Sequence, residues 1–167
     1  MATKVLIIDR DEVLAQSLRD ALPSHTHWEF NNARGVAEGL RRIREIKPDI
    51  VLLDGNFGGS FKESLDFLWL LRTSPELRDL PVLILSEAPA MAGELLDGLG
   101  LGAKNFQAKP VGAEVILARV EMILASLERS KTWPAQLTDL ERMSADDKKR
   151  CQEQLLDQYR RLTRRGL

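Results

Sequence analysis

Four short strand-like runs in this chain each end against a polar residue: residues 5–8 before Asp9, 50–53 before Asp54, 82–85 before Ser86 and 105–108 before Lys109. Three of them (VLII, IVLL and VLIL) are apolar without alternation, the pattern of strands buried on both faces. If the runs pair as a parallel sheet, their four polar residues converge at one edge. Open α/β sheets bind ligands at that edge. Two carboxylates, a hydroxyl and an ammonium gathered there suit a metal-assisted phosphoryl group.

The spacing between the runs supports that pairing. Strand-length segments near 4–8, 27–31, 50–53, 82–85 and 104–107 alternate with helix-period segments near 11–22, 34–46, 62–74, 90–99 and 112–128. Such alternation predicts an α/β fold with a five-stranded, doubly wound parallel sheet. The second and fifth strands are the most polar and belong at the edges, which selects the order 2-1-3-4-5. Pro48 disfavours helical backbone at Lys47 and so stops the second helix. Gly98, Gly100 and Gly102 form a helix stop and turn; no G-K-[ST] ending makes them a phosphate loop.

Composition narrows the class. The hydrophobic fraction of 44% is enough for a core, and the net charge of -1 gives no global sign of a nucleic-acid partner. A single cysteine, Cys151, excludes an internal disulfide framework and fits a reducing cytoplasm. The apolar run at residues 5–8 is too short for a signal-peptide core, and no stretch approaches the ~18 apolar residues of a membrane span. Residues 1–129 are expected to form one domain and residues 130–167 a helical extension. From residue 129 onward the chain carries ten Lys/Arg against six Asp/Glu. Ser144 can cap a last helix, with Asp146 and Asp147 in its first turn. Cys151, Leu155, Tyr159 and Leu162 give that helix one apolar side. About 38 residues are too few for a full DNA-binding module, so DNA is not expected as a partner. His25 and His27 lack a third ligand nearby, and Trp28 and Trp69 read as packing residues.

The motifs VLIID, PDIVLLD, PVLILS and GAKNFQAKP, in this order, resemble the CheY-like receiver domain of bacterial response regulators over residues 4 to about 128. The resemblance implies a signalling switch in a two-component or phosphorelay pathway, not an enzyme. Asp54 would be the phospho-acceptor, receiving its group from a sensor histidine kinase or phosphotransfer protein. Asp9, Asp54 and the backbone carbonyl of Asn56 would hold Mg2+, with Asp11 as a substitute ligand. Lys109 would pair with a phosphoryl oxygen. Ser86 would reorient toward another, and the Phe106 rotamer would report that shift. Output would pass through protein–protein contacts, including a homodimer built on the fourth helix, fifth strand and fifth helix or on the C-terminal helix. The apolar excess of the 112–128 helix, beyond the stripe a sheet requires, fits such burial.

Several positions depart from the family pattern. Arg10 stands where a second acid ordinarily supplies a metal ligand, placing a fixed positive charge beside the cation site. It would either pair with Asp9 and Asp54 or point to solvent beside a weakened Mg2+ site. Glu87 replaces a small residue and would crowd an incoming phosphoryl group. The loop after Asp54 lacks the usual proline and is rich in glycine. The alternative is therefore a pseudo-receiver, an interaction module without phosphotransfer. A further alternative is a haloacid-dehalogenase-like phosphatase, since Asp9, Asp11 and Val13 fit its D-x-D-x-[TV] motif with Ser86 and Lys109 following. That family requires a later acidic pair after a strand, whereas Asp146 and Asp147 precede a helix, and it leaves Asp54 unexplained.

Overall fold

The computed structural model describes residues 2–10, 12–23, 26–56, 61–87 and 106–130. Asp11, His25, the glycine-rich loop after Asn56, the expected helix over 90–99, the start of the fifth strand and the C-terminal extension lie outside them.

The strands are β1 (Thr3–Ile8), β2 (Trp28–Ala33), β3 (Ile50–Asp54), β4 (Val82–Ser86) and β5 (Phe106–Ala108). Among the described residues they alternate with helices α1 (Val13–Ala21), α2 (Val36–Ile46), α3 (Phe61–Thr73) and α4 (Ala113–Ser130). All strand pairs are parallel, and the order is β2-β1-β3-β4-β5. The order follows from which runs can bear burial on both faces: β1, β3 and β4 hold the middle, while partly exposed β2 and three-residue β5 take the edges.

Side chains alternate across each strand, so the sheet divides its apolar residues between two cores. Leu6, Ile8, Val51, Leu53, Val82 and Ile84 pack on one face with Ile43 of α2 and Phe61, Leu65, Phe67, Leu68 and Leu71 of α3. Val5, Ile7, Ile50, Leu52, Leu83 and Leu85 pack on the other with Ala15 and Leu18 of α1 and Ile116, Leu117, Val120 and Ile123 of α4. At Gly39, α2 lies so near the sheet that a Cβ would stand 2.6 Å from Ile8 Cδ1.

Local signals set the element ends. Helix α2 stops at Lys47, which takes the left-handed conformation (φ 49°) and donates its amide to the Ile43 carbonyl before Pro48. At its other end Glu38 accepts the Arg34 amide at 2.9 Å, and this bond is the main cause that holds its carboxyl below the usual range. Strand β2 runs past the expected end at 31, because Asn31, Asn32 and Ala33 pair with Leu6, Ile7 and Ile8. Helix α4 buries one stripe and leaves Val115 (51%) and Met122 (63%) exposed, in keeping with its apolar excess. No helix among the described residues is long and apolar enough to cross a membrane.

Candidate functional site at the sheet edge

The C-terminal ends of β1, β3, β4 and β5 bring Asp9, Asp54, Ser86 and Lys109 to one edge. Asp9 follows β1 directly and is buried, its amide donating to the Ala33 carbonyl of β2. Asp54 ends β3 with 17% of its side chain exposed. Ser86 ends β4 and is buried. Lys109 follows β5, and its amide donates to the Ser86 carbonyl at 2.9 Å. The parallel register, with Asp54 level with Leu85 and Ser86 with Ala108, places these groups side by side.

The charges meet across this edge. Lys109 Nζ lies 2.8 Å from Asp54 Oδ1, a partly buried, charge-assisted hydrogen bond. The Asn56 amide donates to the same oxygen at 3.2 Å. The ion pair of Asp54 is thus with Lys109, while Arg10 is exposed.

The backbone beneath the acceptor is held by a residue the motifs do not include. Ser64, fully buried on α3, donates its hydroxyl to the carbonyls of Asp54 (2.9 Å) and Gly55 (3.2 Å). A serine on the otherwise apolar inner side of α3 was its only signal in the sequence. Gly55 donates its amide to the Leu85 carbonyl at 2.7 Å. A Cβ there would meet that oxygen at 3.0 Å and Ser86 Cβ at 3.2 Å.

Glu87 is exposed and, with Lys109, Leu14, Val111 and Ile116, lines a cleft of about 420 Å³ on the α1/α4 side. Phe106 is half-buried, pairs with Ile84 and packs on the α2/α3 core. His27 is exposed, and Trp28 packs against Phe30 with ring centroids 6.1 Å apart.

An acidic residue and a lysine converging with a buried hydroxyl at this edge of a 2-1-3-4-5 sheet define a receiver. The chain belongs to the response regulator receiver domain family, which it matches over residues 5–121. Among its relatives is the response regulator MprA of Mycobacterium ulcerans, 29% identical over 147 residues, which cover 88% of this chain and 60% of that protein. MprA of Mycobacterium sp. (strain KMS) is 31% identical over 124 residues, 74% of this chain and 51% of that protein. The chain therefore spans roughly half to three-fifths of the curated relatives it matches. In fold it is similar to a CheY-like receiver domain protein from Methanospirillum hungatei, with a TM-score of 0.64 at 19% identity, covering 78% of this chain and 99% of that one. A response regulator from Thermotoga maritima superposes with a TM-score of 0.60 at 24% identity over 75% of this chain and 99% of that one. Receivers of this family are signalling switches of two-component pathways rather than enzymes.

Receivers generally bind Mg2+ at an acidic cluster on this edge. Among the described residues the donor set does not fit that cation. The oxygens that the described residues bring to this edge are those of Asp9, Asp54 and the Asn56 carbonyl, and Asp54 Oδ1 already accepts from Lys109 and the Asn56 amide. Arg10 carries only donors and a permanent charge. A fixed guanidinium charge beside the site opposes a divalent ion rather than ligating it. Among the described residues no three His, Cys, Asp or Glu side chains group as a metal site.

Proposed function

We propose that this chain is a phosphorylation-dependent signalling switch with Asp54 as phospho-acceptor. The supporting observation is the 2.8 Å ion pair between Lys109 and Asp54 beside buried Ser86. The Asp54 oxygen held by neither Lys109 nor the Asn56 amide attacks the phosphorus of a phosphohistidine, supplied by a sensor histidine kinase or a phosphotransfer protein. The O–P bond forms as the N–P bond breaks, and the donor imidazole, protonated at its other nitrogen, departs neutral. Lys109, already in place, then pairs with the phosphoryl group. The Ser86 hydroxyl turns to donate to it, and Phe106 follows into the space that Ser86 leaves. A local change of charge thereby biases a two-state surface.

On this reading residues 1–129 are the receiver and 130–167 a helical extension. The protein works in the cytoplasm through a downstream protein, without DNA or membrane contact. It pairs with a second copy through the 90–99 segment, β5 and α4, or through the C-terminal helix. Glu87 narrows the approach of the donor.

Arg10 favours one second reading, a pseudo-receiver that keeps the fold and its contacts without phosphotransfer. Intact mass of the wild type and Asp54→Asn after phosphoramidate treatment, with and without Mg2+, separates the two. A gain of one phosphoryl group in the wild type alone is expected. No adduct in the folded wild type would leave the pseudo-receiver, and an adduct in both proteins would remove Asp54 from its role.

A further inference from the structure

We propose that the acidic edge of this receiver works without a divalent cation, because Arg10 supplies as a fixed charge what Mg2+ supplies elsewhere in the family. The inference rests on the reading of Asp54 as acceptor for its phosphorylated state but not for its resting state.

Formal charge carries the first part. Asp9 and Asp54 each contribute one negative charge, and Arg10 and Lys109 one positive charge each, so the four groups at this edge sum to zero as they stand. With a dianionic phosphoryl group esterified to Asp54, they sum to one negative charge. Had position 10 been an acid, one divalent cation would be needed to give the same two totals. The exchange of a carboxylate for a guanidinium changes the local charge by two, the charge of that cation.

Geometry carries the second part. Arg10 directly follows buried Asp9 at the end of β1, the strand adjacent to β3, and its side chain is exposed at the rim of the edge. Lys109 occupies one oxygen of Asp54, leaving the other to bond phosphorus. A guanidinium fork matches two phosphoryl oxygens in one plane, which a lysine cannot do. The phosphoryl group is thus held between Lys109 and Arg10. With phosphoramidate as donor, Asp54 oxygen bonds phosphorus, the P–N bond breaks, and the nitrogen leaves as ammonia with the protons it already carried.

Thermal unfolding of the wild type and Arg10→Asp, in EDTA and across a MgCl2 titration, tests the resting state. A wild-type shift below about 1 °C is expected, while the variant should gain about 5–10 °C near a hundredfold excess over its Kd. A saturable rise of several degrees in the wild type would overturn the proposal. Intact mass with phosphoramidate in EDTA tests the loaded state: the wild type should form the adduct, and Arg10→Gln, which loses the cation without adding an acid, should form it at least tenfold more slowly. An adduct that appears only with Mg2+, or equal rates in the two proteins, counts against Arg10. If no adduct forms with or without metal, phosphotransfer itself has failed, and the wild-type titration alone decides whether the edge rejects the ion.

Discussion

On the α2/α3 face of the sheet, the large side chains Phe61, Leu65, Phe67, Leu68 and Leu71 close over Leu6, Ile8, Leu53 and Ile84, and Gly39 lets α2 approach to the limit of contact. On the α1/α4 face, an equally buried row from Val5 to Leu85 is covered by a long helix that still exposes Val115 and Met122. A cleft beside it opens on Lys109 and Glu87. One face is filled to the backbone, and it bears on the site from within, through Ser64 beneath Asp54 and through Phe106. The other combines a sealed interior with an outer surface and an opening next to the charged edge, so signals and partners have physical access there.

The sharpest way to break this contrast is to empty the closed face. Phe67→Ala removes a fully buried ring and should cost about 3–5 kcal/mol in urea unfolding; a loss below about 1 kcal/mol would mean that α3 packs far more loosely than described. Ser64→Ala comes next. It deprives the Asp54 and Gly55 carbonyls of a buried donor and should cost about 1–3 kcal/mol by the same measurement. An unchanged midpoint would show that the hydroxyl does not secure the acceptor backbone. The smallest effect belongs to the open face: Met122→Glu should change monomer stability by no more than about 0.5 kcal/mol. A larger loss would reveal that the α4 surface is covered in solution.

Much of this was legible in the chain because period and punctuation agree. The doubly apolar runs of β1, β3 and β4 have one solution in a parallel sheet, and their end positions carry Asp9, Asp54 and Ser86 to one edge with Lys109. What the sequence concealed was decided by partners distant in the chain. Asn31 and Asn32 are poor strand formers, yet the ladder with Leu6 and Ile7 extends β2 through them. Lys47 adopts a left-handed conformation usually left to glycine because Pro48 stops the helix there, while its amide still bonds the Ile43 carbonyl. Ser64 offered no motif, since its meaning depends on which carbonyls α3 brings beneath it.

The end of β4 has a consequence for how a message passes through the molecule. Its Leu85 carbonyl holds Gly55 on one side, and its Ser86 carbonyl holds Lys109 on the other. Acceptor loop and lysine are therefore mounted on one frame, and a displacement of β4 carries both without changing the gap between them. The frame conveys no information by moving as a whole. Whatever is read out at the surface must be written in the turning of side chains around it, and the missing methyl of Gly55 keeps that frame narrow enough for the turning of Ser86 to be felt.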